Sequence, residues 1–149
     1  MGDFLTEFRS LLNQVEQIGD KIAKEHGVEH LAGPQGWALL YLAKCSDKEV
    51  FVKDIEKEMK ISKSVASNLV KRMEKNDFIQ VIPSKQDKRY KQIILTANGQ
   101  EKVSRLDDFH QELHQSLFNK ITKEDFQLVE QWAHQLTENI KEYKEKHNV

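Results

Sequence analysis

Apolar positions along this chain keep two rhythms. Phe4, Phe8, Leu11, Leu12, Val15, Ile18 and Ile22 return every three or four residues, which predicts an amphipathic helix to about residue 25. His26 and Gly27 end it, with glycine suited to a left-handed cap. Pro34 opens a second helix at the one position where its missing N–H costs nothing. Trp37, Leu40 and Tyr41 mark one face of that helix and Leu39 and Leu42 another, so it is expected to be buried on most sides. Ser46, Asp47 and Lys48 break it, and Val50, Phe51 and Val52 read as a short extended stretch able to pair with a later strand. Two short helices, 53–60 and 62–75, follow with almost nothing between them. Their inward set is Ile55, Met59, Ile61, Val65, Ala66, Leu69 and Met73, and Ser62 is a good N-cap.

The rhythm then changes to that of strands, over 78–83 and 90–95, around a basic tip at 84–89. Thr96 caps a long helix with Val103, Leu106, His110, Leu113, Leu117 and Ile121 on one stripe. Thr122 to Asp125 restarts the chain with an acidic first turn approximating a capping box. The last helix repeats Phe126, Val129, Ala133, Leu136, Ile140 and Tyr143, with Trp132 beside the stripe. The fold class expected is mostly α with a small β wing (α+β). Helices joined by so tight a turn must cross steeply, as in a helix-turn-helix.

Totals refine this picture in three places. An apolar fraction of 38% against 32% charged residues suits thin helical layers better than one large core. No apolar run nears the roughly 18 residues of a membrane span and no leader opens the chain, so a cytoplasmic protein without a membrane partner is expected. Cys45 is the only cysteine, which rules out an internal disulfide framework. The net charge of −1 hides a separation: residues 53–91 hold 11 Lys/Arg against 6 Asp/Glu, and the rest 12 against 18. Such a separation gives one face a positive potential while the chain stays soluble.

The outward residues of the second short helix are Lys63, Ser64, Ser67, Asn68, Lys71, Arg72 and Lys75. Ser64, Asn68, Lys71 and Lys75 form one stripe of hydrogen-bond donors with no bulky apolar member. Asn pairs bidentately with adenine, Lys reaches guanine or phosphate, and Ser fits either. The helix start at Ser62 and Lys63 suits a phosphate. A merely solvated face usually carries Glu as well as Lys, and this one has no acid before Glu74.

With Asp87-Lys88-Arg89 at the wing tip, Leu95-Thr96 at its end and Gly99 beyond, the chain resembles the MarR (multiple antibiotic resistance) family of bacterial transcription regulators over essentially its whole length. The resemblance implies a winged helix-turn-helix lobe over 34–99 and a helical dimerisation lobe from 3–26 and 100–147. It implies an obligate homodimer, with Phe4, Phe8, Leu117, Phe126, Trp132, Leu136 and Ile140 among the interface residues. It also implies a regulator, expected to be a repressor, reading a pseudo-palindrome in double-stranded DNA with half-sites about one helical turn apart. Arg89 would then enter a minor groove, Asp87 would hold that arginine or the turn, and Lys85 and Lys88 would touch phosphates. Trp37 and Tyr41 would line a pocket for a small-molecule effector. Asp77 stands where the family usually places glycine; Asp tolerates left-handed backbone better than most residues.

Competing readings stay open beside this one. His110 and His114 have the i, i+4 spacing of two metal ligands, and a zinc-sensing subgroup uses histidines on the corresponding helix. Gly36 and Trp37 occupy the places of that subgroup's other ligands, so a packed or dimer-facing histidine is expected instead, and no metal or other cofactor. Cys45 is expected to be a buried small hydrophobe rather than a redox trigger. No glycine-rich phosphate loop, Cys/His nucleophile pair or close carboxylate pair supports an enzyme. The remaining competitor is a winged helix used for protein contact.

Overall fold

The computed structural model describes residues 2–149. Six helices and one hairpin follow in order: α1 (Gly2–Glu25), α2 (Pro34–Lys44), α3 (Val52–Met59), α4 (Lys63–Lys75), β1 (Ile79–Pro83), β2 (Lys91–Leu95), α5 (Ala97–Ser116) and α6 (Lys123–His147). The chain forms two compact units, one ending at Leu113 and the other starting at His114.

In the first unit, α1 buries only its last turn, Ile22 and Ala23. Gly27 then turns the chain with φ +67°, and the Val28 N–H closes the helix end by donating to the Ala23 carbonyl at 2.9 Å. The core gathers Leu39 and Leu42 of α2, Ile55 of α3, Ala66, Leu69, Val70 and Met73 of α4, Ile79 and Ile93 of the hairpin, and Val103, Leu106 and Phe109 of α5. The hairpin is antiparallel, Ile79 opposite Leu95 and Pro83 opposite Lys91. Thr96 caps α5 by accepting from the Gly99 N–H at 2.9 Å, and its hydroxyl donates to the Asp77 carbonyl at 2.6 Å. Asp77 adopts φ +61°, the left-handed backbone expected of it. Gly99 lies so close to the hairpin entry that a Cβ there would stand 2.0 Å from the Phe78 carbonyl oxygen.

Several expectations need correction. Val52 is the first residue of α3, not part of a strand: Phe51 is the N-cap, and its N–H donates to the Asp54 carboxylate at 2.8 Å. The extended stretch survives as one bond, from the Ile93 N–H to the Val50 carbonyl at 2.7 Å. Val65 is 49% exposed, and Val70 is buried in its stead. At about 100° per residue, Ala66, Leu69, Val70 and Met73 share one arc, and Val65 falls a quarter-turn off its centre. Trp37 is 55% exposed, so α2 is open on that side. Cys45 is half-buried rather than enclosed. On α5 the buried positions step by three through Val103, Leu106 and Phe109, so the covered arc drifts round the helix and leaves His110 exposed. That helix ends at Ser116, before Leu117 and Ile121, and a turn with Lys120 at φ +66° follows.

In the second unit, Thr122 and Asp125 form a reciprocal capping box: the Asp125 N–H donates to Thr122 Oγ1 at 3.1 Å and the Thr122 N–H to Asp125 Oδ2 at 2.8 Å. These bonds hold the Asp125 carboxyl below its usual range. No residue of α6 is buried, although it carries a full apolar stripe.

Candidate nucleic-acid interface

Helix α4 begins at Ser62, whose hydroxyl accepts from the Val65 N–H at 3.3 Å. Its inner arc is fixed by the core, so its outer arc is fixed too. Ser62, Lys63, Ser64, Asn68, Lys71 and Arg72 are exposed there, with Ser67 half-buried. The exposed face also includes the apolar Val65, which sequence reasoning placed inside. A small apolar side chain on a basic, donor-rich face is suited to a thymine methyl. Its signal was available in the spacing, since Val70 fits the inner arc better.

The wing is built from the loop after β1. Ser84 is buried, and its hydroxyl accepts from the N–H groups of Gln86 and Asp87, each at 3.2 Å. The Ser84 N–H donates to the Tyr90 carbonyl at 2.8 Å, and the Tyr90 N–H to the Asp87 carbonyl at 3.0 Å. At the tip the Arg89 guanidinium donates to both Asp87 oxygens, and the Arg89 N–H adds a bond to Oδ1 at 3.1 Å. The arginine side chain lowers the Asp87 pKa, helped by the backbone bond, and the carboxylate in turn raises that of Arg89. Lys85 and Lys88 are exposed on the same tip.

The wing and α4 face one another across a groove of about 770 Å³. Lys63 and Ser67 border it from α4, Asp87 and Arg89 from the wing, and Lys53 and Tyr90 extend it. Neither Lys53 nor Tyr90 counts among the DNA-facing residues read from sequence. Tyr90 is 58% exposed and meets Phe51 edge-on, with ring centroids 6.4 Å apart, while the Lys53 ammonium lies 5.9 Å from the Phe51 ring. Asn68, Lys71 and Arg72 lie outside this groove. The structure thus joins the first two turns of α4, through Lys63 and Ser67, to the wing and leaves Asn68, Lys71 and Arg72 as a separate face.

A second cavity, of about 590 Å³, opens beside α2. Leu31, Trp37, Leu40, Tyr41, Met59 and His110 border it. Burial, the Cys45 thiol and the charges of Asp54 and Glu58 together push the Tyr41 phenol up to about 12, so it is a neutral group here. His114 follows His110 by four residues and is exposed. Among the described residues no group of three or more His, Cys, Asp or Glu side chains is placed to hold a metal ion. No described helix is long and apolar enough to cross a membrane.

A model of the MarR family matches residues 31–89, and no curated protein matches the chain. Among solved structures, heme-free PefR aligns with a TM-score of 0.84 at 47% identity, covering 91% of this chain and 98% of that one. PefR from Streptococcus agalactiae, described as a heme sensor protein and solved in complex with heme, aligns at 0.76 with 47% identity, over 93% and 95%. A MepR variant from S. aureus bound to an oligodeoxyribonucleotide shares the fold at 0.61 with 22% identity, over 92% and 97%.

Proposed function

The chain belongs to the MarR family of winged-helix transcription regulators, and from that membership we propose that it binds a pseudo-palindromic operator as a homodimer and represses transcription until heme binds. The observation that carries the DNA part is the groove shared by Lys63, Ser67 and Arg89, with the exposed Asn68 and Lys71 beyond it. Lysines and the helix start would set the register on phosphates, Asn68 and Val65 would read base edges, and Arg89 would enter the flanking minor groove. The dimer rests on the apolar faces left open within each unit: Phe4, Leu11 and Ile18 on α1, and Phe126, Trp132, Leu136 and Ile140 on α6. We assign residues 34–99 to the DNA-binding lobe and 3–26 and 100–147 to the dimerisation lobe.

Heme as effector rests on the likeness to PefR and on a fit within this chain. The cavity beside α2 is walled by Leu31, Trp37, Leu40 and Met59, which suits a flat apolar macrocycle. His110 at its edge would offer an imidazole to the iron, and His114, four residues on, would be a second candidate; bound heme would supply the ligand-sensing centre. Trp37 and the neutral Tyr41 would orient the ligand. A ligand preferring one spacing of the two DNA-binding lobes shifts the dimer toward it, and a dimer at the wrong spacing meets one half-site only.

Titration of the purified protein against a duplex from the region upstream of its own gene tests this reading. Affinity should fall steeply with salt, and hemin should release the duplex and develop a Soret band that weakens in His110→Ala or His114→Ala. Binding that ignores salt would favour a protein-contact module instead. A salt-sensitive complex indifferent to hemin would keep the regulator and remove heme.

A further inference from the structure

The wing is anchored from outside itself. Glu49, in the loop between α2 and α3, is half-buried and uses both carboxylate oxygens on the wing's first corner. Oε2 accepts from the Ser84 hydroxyl at 2.5 Å, and Oε1 accepts from the Lys85 N–H at 2.8 Å. With its proton given to Glu49, the Ser84 hydroxyl turns both lone pairs to the Gln86 and Asp87 N–H groups. Asp87, so placed, holds Arg89 through its guanidinium and its N–H. One residue on, the Val50 carbonyl accepts from the Ile93 N–H at 2.7 Å, so the same loop grips both the wing's first corner and β2.

We propose that Glu49 is a positioning residue for DNA binding: it touches no DNA, and it sets the wing arginine through Ser84 and Asp87. The proposal rests on the reading of Arg89 as a DNA contact. Its chemistry makes an unusual demand, because an acid beside a groove meant for phosphates should repel them. Electrostatics alone says that deleting this charge tightens binding. The hydrogen-bond relay says the opposite. In Glu49→Gln one acceptor oxygen becomes an amide donor facing a hydroxyl whose lone pairs are already taken, so the first corner of the wing loses a charge-assisted bond.

The test compares wild type, Glu49→Gln, Arg89→Ala and the double variant on a duplex from the region upstream of the protein's own gene. Glu49→Gln should weaken binding about tenfold, the scale of one lost charge-assisted bond. It should add little to Arg89→Ala in the double variant, because both remove the same contact. Unchanged or tighter binding by Glu49→Gln, or losses that add in full, would overturn the proposal. Should Glu49→Gln fail to fold, Ser84→Ala tests the relay from its other end with the same expected sign. If Arg89→Ala binds as wild type does, the reading of the wing as a DNA contact fails, and the role of Glu49 falls with it.

Discussion

The guanidinium of Arg89 closes back on the carboxylate of Asp87, two residues earlier, with Nη2 donating to Oδ2 at 2.8 Å and Nε to Oδ1 at 3.1 Å. The pair leaves the arginine 85% exposed along its side chain while fixing its direction. A guanidinium held on one edge keeps its remaining donors for a second acceptor.

Because Arg89 lowers the Asp87 pKa, the pair contributes above the ordinary Asp value of about 3.9 and is lost as pH falls through the lowered one. The Arg89 Nε–H resonance should therefore keep its protected position at pH 5 and collapse only as pH falls below the ordinary Asp value. Collapse between pH 5 and 7 would contradict the pairing. Asp87→Asn should produce the collapsed signal at every pH.

Arg89→Ala should weaken DNA binding and reduce the slope of log affinity against log salt by about one. Arg89→Lys should not restore wild-type affinity, since a point charge cannot hold Asp87 and DNA with one planar fork. Salt titrations of the three proteins on one duplex decide it.

Asn68→Ala should change which sequence is preferred, losing about 1–3 kcal/mol of discrimination at one base pair. Lys71→Ala should weaken all sequences alike. Selection from a randomised duplex pool separates the two: a uniform loss from Asn68→Ala would count against base reading by that residue.

If α6 forms the proposed dimer interface, replacing its stripe residues Leu136 and Ile140, which are 45% and 47% exposed, by Glu should leave α3, α4 and the hairpin folded and turn a wild-type dimer into a monomer. Sedimentation at micromolar concentration reads the mass directly. An unchanged mass would mean that α6 is not the interface.

Two packing changes gauge the frame that carries the interface. Leu69, 1% exposed on the inner arc of α4, should cost about 3 kcal/mol when cut to Ala. Gly99→Ala forces a methyl against the Phe78 carbonyl and should cost ~3 kcal/mol, lowering the thermal midpoint by roughly 10 °C. Thermal melts followed by circular dichroism test both.

Much of this architecture was legible because local chemistry and packing agreed. Ser62, Thr96 and Thr122 are caps by residue type, and each bonds the N–H expected of it. Asp77 takes the left-handed backbone that a glycine would otherwise hold. What misled was apolar residues without a neighbour map. Val65 and Val70 are alike as letters, and only the arc shared with Leu69 and Met73 tells them apart. His110 sits on a stripe by spacing, yet burial on α5 drifts with the steps from Val103 to Phe109 and passes it by. Glu49 could not be read at all: a lone acid in a loop has no pattern, and its partners lie 35 and 36 residues away.

Helix α6 presents its whole stripe without burying a single residue of its own. If a second copy covers it, the folded lifetime of this regulator depends on how many copies the cell holds. Dilution by growth would thin such dimers and expose α6 to proteases, whereas a burst of synthesis would protect the pool it creates. Abundance itself would then be an input to regulation.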